Sequence, residues 1–266
     1  MINTSIVLYN HSFSEIAPLV QSLLASGVVS ECFILDNSPT PSPEFNSLAV
    51  TYIFNNNNPG YGVAHNIAIR KTIEKGIPYH LVINPDIEIR SSDLEIIESF
   101  MNLNTKIGHL MPKVLYPDGK IQYLCKLLPT PFDLIFRRFL PAKWTESRME
   151  KFEMRKTGYN KLMQVPYLSG CFMFLRTEAL KEVGLFDERF FMYPEDIDLT
   201  RRIHRKYQTV FYPDVSIVHH HAQSSYLNLK MLRIHITNMI QYFNKWGWIF
   251  DKERRKINNE ILKQFS

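Results

Sequence analysis

Two hydrophobic rhythms alternate along the first hundred residues. Short apolar runs at Ser5–Tyr9, Cys32–Asp36, Thr51–Asn55 and His80–Asn84 are too short for helices and stop at polar or turn-forming residues, so they read as strands. Segments of helical period fill the gaps. One opens at the capping-box pattern Ser12-x-x-Glu15, its start blurred by Pro18; the others run from Tyr61 to Glu74 and from Ser91 to Met101. Strands and helices in alternation predict an α/β fold with a mostly parallel central sheet and right-handed crossovers. The C-terminal edge of that sheet, where open α/β folds bind ligands, gathers Asn10, Asp36, Asn55 and Asp86.

After residue 105 the rhythm coarsens. Ile107–Tyr116 and Lys120–Leu124 read as a hairpin around Pro117-Asp-Gly119, and residues 165–176 as one buried strand followed by a helix over Thr177–Val183. Residues 129–163 are basic and aromatic and take no assignment beyond a loop or lid. Residues 226–266 set Leu229, Leu232, Ile236, Ile240, Phe243, Trp246, Trp248, Ile249 and Phe250 among eight Lys or Arg and three acids, an excess equal to the whole chain's net charge of +5. They predict basic amphipathic helices, suited equally to lying on anionic lipid and to packing on the domain formed by residues 1–225.

With 45% hydrophobic and 13% aromatic residues, the 266-residue chain buries a substantial core. No apolar run reaches the length of a membrane span and Met1–Val7 lacks a basic n-region, so a cytoplasmic location is expected. Cys32, Cys125 and Cys171 are widely spaced and odd in number, which reads as buried free thiols. The basic charge comes with no helix-turn-helix, zinc-finger spacing or RNA-binding aromatic signature, which counts against nucleic acid as a partner.

Four segments carry candidate chemistry. In Gly184–Arg202 carboxylates crowd around aromatic residues where a helix begins; Pro194 at its first position would put Glu195, Asp196 and Asp198 within the first turn or so. Helix capping, with Asp198 paired to Arg201 or Arg202, accounts for such a cluster without any chemistry. A second acidic signal shifts the balance: the apolar run in Tyr79–Glu88 stops at Asn84-Pro-Asp86, delivering Asp86 to the C-terminal end of a strand. Third, Asn55–Asn66 is a glycine and asparagine corner whose Gly60 and Gly62 permit unusual backbone angles, ahead of a helix start able to attract a diphosphate. Its spacing is neither a dinucleotide fingerprint nor a P-loop. Fourth, His219, His220 and His221 follow a short apolar run; on a strand His219 and His221 share a face, and one histidine beside Asp86 makes a mixed oxygen and nitrogen set for magnesium or manganese.

The segments Asn58-Pro-Gly-Tyr-Gly-Val-Ala-His-Asn66, Leu81-Val-Ile-Asn-Pro-Asp86, Gly184-Leu-Phe-Asp-Glu-x-Phe-Phe-Met-Tyr-x-Glu-Asp-Ile-Asp-Leu199, and His219 with Ser224 beyond, occur in that order. Together they resemble family 2 of the inverting glycosyltransferases, especially the rhamnosyltransferase-like branch of bacterial surface polysaccharide synthesis. The resemblance covers residues 3–225 and implies a GT-A nucleotide-binding fold, with 1–104 as the nucleotide-binding half, 105–225 as the acceptor-side half and 226–266 as a helical extension. It implies that Tyr9, Asn10, Asp36 and Asn37 hold the base and ribose of a nucleotide sugar, and that Asn58, Gly60, Asn66, Asn84 and Glu195 frame the same pocket. Asp86 and His219 would hold a divalent cation, magnesium or manganese, against the diphosphate. Asp196 would be the general base that takes the proton of the acceptor hydroxyl. Many relatives carry a paired carboxylate where this chain has Asn84, which offers a cation less charge. Glu195, Asp187 and Asp198 are expected to raise the Asp196 pKa and the helix dipole to lower it.

The resemblance points to dTDP-rhamnose as donor, with UDP-linked hexoses or galactofuranose as competitors. It points to a lipid-linked saccharide as acceptor, and leaves room for peripheral attachment to the inner face of the plasma membrane. Two readings from other classes stand beside it. A nucleotidyltransferase needs a glycine-rich basic loop that Tyr9–Phe13 lacks, and a non-catalytic member of a polysaccharide assembly complex has no need of Asp86, Asp196 and His219.

Overall fold

A computed structural model describes residues 1–135, 140–220 and 229–265. The first half alternates as its pattern predicts: β1 (Ile2–Leu8), α1 (Phe13–Leu24), β2 (Val29–Asp36), β3 (Thr51–Phe54), α2 (Tyr61–Glu74), β4 (Tyr79–Ile83), β5 (Ile87–Glu88) and α3 (Ser91–Leu103). The backbone N–H of Ser12 donates to Glu15 at 2.7 Å, so the capping box sets the start of α1. Pro18 falls inside this helix, where its missing N–H leaves one helical bond unmade without stopping the turn.

The second half continues with β6 (Ile107–Leu115), β7 (Cys125–Lys126), α4 (Pro131–Leu134), α5 (Ala142–Phe152), β8 (Met163–Gln164), β9 (Tyr167–Leu168), β10 (Phe172–Arg176), α6 (Thr177–Val183), α7 (Glu195–His204), β11 (Gln208–His219), α8 (Leu229–Trp246) and α9 (Lys252–Leu262). The main sheet runs β3-β2-β1-β4-β10-β6-β11-β5, with β8 also on β11. Strands β3, β2, β1 and β4 are parallel, as are β6 and β11, while β10 lies antiparallel between β4 and β6.

Two expectations are corrected. The turn at residues 116–119 forms, with Gly119 N–H donating to Tyr116 O at 2.9 Å, but its second arm keeps only one bridge, Leu115 to Ile121. Gln122 N–H donates to Val114 O at 2.9 Å and the pairing goes no further, because the same strand, β6, is paired with β10 at His109 and Leu110. Residues 165–176 do not form one strand. They break at Ser169-Gly-Cys171 between β9 and β10, and that break enters the site.

A buried polar network fixes α2 to the sheet. Ser5 Oγ lies 2.7 Å from His65 Nδ1 and 2.8 Å from His80 Nε2, and Thr72 Oγ1 lies 2.7 Å from His80 Nδ1. Burial pushes His80 down to about 3 and His65 well below its usual value, so both are neutral packing groups. The helices α8 and α9 bury Met239, Tyr242, Phe243, Ile257 and Ile261. Buried Arg201 on α7 holds Asp251, just ahead of α9, through two hydrogen bonds of 2.7 and 2.9 Å and stacks on Trp246 at 4.1 Å. The C-terminal helices therefore pack on the domain with these faces. Among the described residues no helix is long and apolar enough to cross a membrane.

Candidate active site

The ends of β1, β2 and β3 form one corner. Asp36 closes β2 with its carboxylate buried, accepting from Ser38 N–H at 2.9 Å and from the Tyr52 hydroxyl at 2.6 Å. Asn10 turns the chain after β1 at φ +58° and donates its N–H to Ser38 Oγ at 2.8 Å, leaving Tyr9 exposed beside it. Asn37 links across the corner, accepting from Asn55 at 2.6 Å and donating to Asn58 at 3.3 Å; Asn58 in turn accepts the Gly60 N–H at 3.2 Å. The structure thus brings together Tyr9, Asn10, Asp36, Asn37, Asn58 and Gly60.

Gly60 joins this corner to the acidic segment. Its φ is +104°, and a Cβ there would sit 2.5 Å from the Phe191 carbonyl oxygen, so only glycine fits. That carbonyl accepts the Tyr61 N–H at 3.0 Å, at the first turn of α2. Asn66 is buried and holds the Phe186 backbone from both ends of its amide, at 2.9 and 3.0 Å. Asn66 thus clamps the acidic segment onto α2, and its Nδ2 also donates to Glu188 at 3.2 Å.

Tyr61 carried no role in the sequence, yet it stands at the centre. Its hydroxyl lies 2.9 Å from Gly170 O and 3.0 Å from Asn84 Oδ1. One hydroxyl proton serves one of these acceptors; turning the Asn84 amide lets its NH₂ donate to Tyr61 while Tyr61 donates to Gly170. Asn84 is fixed in turn by its own N–H to Cys171 O at 2.9 Å, so the break before β10 is stitched to the end of β4. Burial pushes the Cys171 thiol up to about 12, which keeps it protonated and unreactive.

Of the five carboxylates of the acidic segment, Glu188 is paired with Arg70 at 2.5 Å, and the other four divide into two pairs. Asp198 is sealed from solvent and held by Arg202 at 2.8 Å, Lys245 at 2.5 Å and the Trp246 indole at 2.8 Å; Asp187 is held by Arg189 at 2.9 Å and Lys245 at 2.7 Å. These two anchor α7 and α8. Glu195 and Asp196 are also buried, yet neither is paired with a cation among the described residues. Asp196 accepts from Gly170 N–H at 2.8 Å and Ile197 N–H at 2.7 Å, whereas Glu195 Oε2 has no hydrogen-bond partner among the described residues. Burial pushes the Asp196 carboxyl up to about 6 against the pull of those two N–H groups. Burial, then the Asp196 charge, holds Glu195 well above the usual carboxylate range. Asp187 and Asp198, neutralised by their cations, are not the cause that the sequence suggested. Pro194 proves to be the residue before the helix, so Glu195 opens it.

At the far side β11 pairs with β5, and His220 N–H donates to Asp86 O at 3.0 Å. His219 Nε2 comes within 3.3 Å of Asp86 Oδ1. Gln122 fixes this ring: its Nε2 donates to His219 O at 2.7 Å, which turns its Oε1 toward His219 Nδ1 at 2.9 Å. Nδ1 must then carry the proton, and Nε2 is the nitrogen turned toward the Asp86 carboxylate. A ligating histidine held through its other nitrogen has this arrangement. Among the described residues no three His, Cys, Asp or Glu side chains gather as a metal cage. Two protein ligands suit a hard or borderline divalent ion that takes its other oxygens from a diphosphate and water, so the residues fit the implied cation. His220 instead lies 2.6 Å from Glu88 at the surface, and His221 and Ser224 lie outside the described residues.

No family model matches the chain. Fold comparison defines its class: GalNAc-T7, solved with UDP, GalNAc and Mn2+, superposes with a TM-score of 0.60 at 15% identity, over 82% of this chain and 43% of that one. The fold is that of the GT-A glycosyltransferases. In sequence the chain is 30% identical to the N-acetylglucosaminyl-diphospho-decaprenol L-rhamnosyltransferase of Mycobacterium tuberculosis, over 63% of its own length and 58% of the relative's. It is 28% identical to the rhamnosyltransferase WbbL of Escherichia coli, over 69% of each. The resemblance to family 2 of the inverting glycosyltransferases, in its rhamnosyltransferase-like branch, is borne out by these relatives. The chain spans less than two thirds of the length of the mycobacterial relative.

Proposed function

We propose that this chain is an inverting glycosyltransferase that moves rhamnose from dTDP-rhamnose to a lipid-linked saccharide, at the inner face of a membrane, in the building of a surface polysaccharide. The observation that carries the transfer reading is Asp196: a buried carboxylate with a raised pKa, held by two backbone N–H groups at a helix start. A base poised near neutral pH is what abstraction of a sugar hydroxyl's proton requires. In the proposed step the acceptor oxygen attacks the anomeric carbon and its proton passes to Asp196. The bond from that carbon to the diphosphate oxygen breaks on the opposite face, and the diphosphate leaves with the electron pair. Tyr9, Asn10, Asp36 and Asn37 receive the nucleoside, Asn58 and Gly60 border the diphosphate, and Asn84 and Glu195 face the sugar. Asp86 and His219 would hold a divalent cation, which would supply charge neutralisation to the leaving diphosphate. The activities of both relatives support rhamnose, and that of the mycobacterial relative supports a diphospho-lipid acceptor.

Calorimetric titration with dTDP, UDP and GDP, each with and without magnesium or manganese, tests the donor. Metal-dependent binding of dTDP supports the proposal. Binding of UDP alone keeps the transferase and replaces the sugar nucleotide, and binding of none of them favours the non-catalytic reading.

A further inference from the structure

The short connection between α8 and α9 leaves apolar side chains uncovered. Trp248, Ile249 and Phe250 are 36%, 65% and 86% exposed, and each follows directly on the last. Beside them lies an open cavity of about 610 Å³ lined by Trp248, Ile249, Arg148, Lys151 and Arg255 among others. Trp144, 77% exposed, stands one turn before Arg148 on α5 and extends the apolar surface.

The unpaired charge on the neighbouring helices α5 and α9 is mostly positive. Arg148 and Arg254 are engaged, the first by Asp133 at 2.7 Å and the second near Asp251 at 4.0 Å. Lys143, Lys151, Lys252, Arg255 and Lys256 are exposed and form no ion pair among the described residues. On α5 and α9 Glu150 is tied to Lys156 and Glu253 to Arg201 and Arg205, which leaves Glu146 and Glu260 as the unpaired acids among the described residues. Five free cations around a protruding Trp-Ile-Phe ridge match an anionic bilayer, with the ridge entering the acyl boundary and the Lys and Arg heads at lipid phosphates. A partner protein would be expected to meet the apolar ridge without needing this ring of cations.

We propose that the Trp248–Phe250 ridge, with Trp144 and the cations of α5 and α9, docks this chain on an anionic lipid surface. Met239, Tyr242 and Phe243 of α8 and Ile257 and Ile261 of α9 are packed inward, so the connection between the two helices makes the contact. The inference deepens the reading of a lipid-linked acceptor, but its test does not depend on transfer.

The test is co-sedimentation of the full chain with vesicles of phosphatidylcholine, with and without phosphatidylglycerol. Binding is expected only to the anionic vesicles and should weaken as salt shortens the Debye length. Ile249→Asp with Phe250→Asp, and separately Lys151→Glu with Arg255→Glu, should each lower the partition coefficient at least tenfold with unchanged thermal melting, since all four side chains are exposed. On the unaltered chain, brominated phosphatidylglycerol should quench tryptophan fluorescence through Trp144 and Trp248. Equal binding to both vesicle types, no binding, or unaffected variants would overturn the proposal. So would a dimer in solution that the Ile249 and Phe250 substitutions dissociate, because a second copy would then cover the ridge.

Discussion

Asp196→Asn separates the chemistry of the site from its architecture. The replacement keeps the shape but leaves one acceptor oxygen where the carboxylate has two, and the two backbone donors from Gly170 and Ile197 at 2.8 and 2.7 Å need one each. One N–H must then face an NH₂ group, at a cost of about 1–3 kcal/mol. Removal of a buried charge beside Glu195 offsets part of this, so against a total stability of about 5–15 kcal/mol the variant still folds. Transfer should fall about 100- to 10,000-fold, the usual contribution of a positioned base, while affinity for the donor nucleotide is unchanged. A loss of less than tenfold, or nucleotide binding that falls in parallel, would refute Asp196 as the base. Urea unfolding across pH supplies a second reading. With its folded-state pKa raised from 3.8 to about 6, Asp196 holds a proton that the unfolded chain has released. Its contribution is fully present below pH 3.8 and is lost as pH rises through about 6. The stability of the wild type relative to the variant should therefore decline across that window. A flat difference would mean that Asp196 is not buried as described.

Further outcomes follow from the neighbouring contacts. Gln122→Leu removes the group that fixes His219 Nδ1, and manganese affinity, measured by calorimetry or electron paramagnetic resonance, should drop about 10- to 100-fold; unchanged affinity would detach His219 from the metal. Gly60→Ala sets a Cβ 2.5 Å from Phe191 O at a positive φ, and should lower stability by more than about 1 kcal/mol and weaken nucleotide binding. Arg201→Met leaves Asp251 buried without its bidentate partner. The Arg254 guanidinium 4.0 Å away compensates in part, so a loss of about 3 kcal/mol is expected in chemical unfolding, and one below about 1 kcal/mol would show that the pair does not anchor α9.

The first half of this chain was legible because its signals are local. Period and turn chemistry placed Tyr61–Glu74 and Thr177–Val183 at their observed ends, and marked Asp36 at the end of β2 and Asp86 in the turn that follows β4. The resemblance named Asp196 and His219 from motif order. What the sequence alone left open depends on neighbours far along the chain. Helical spacing pairs Asp198 with Arg202, but Lys245 and Trp246, nearly fifty residues on, complete its neutralisation and leave Asp196 without a cation among the described residues. Gln122 lies 97 residues from the histidine it orients, and Tyr61 reaches Gly170 across 109. The shortened arm after Gly119 has the same origin, since the distant strand β10 pairs with β6 at His109 and Leu110. Hydrophobic period is written into consecutive residues, but burial, charge pairing and proton position are set by whichever side chains the fold brings alongside.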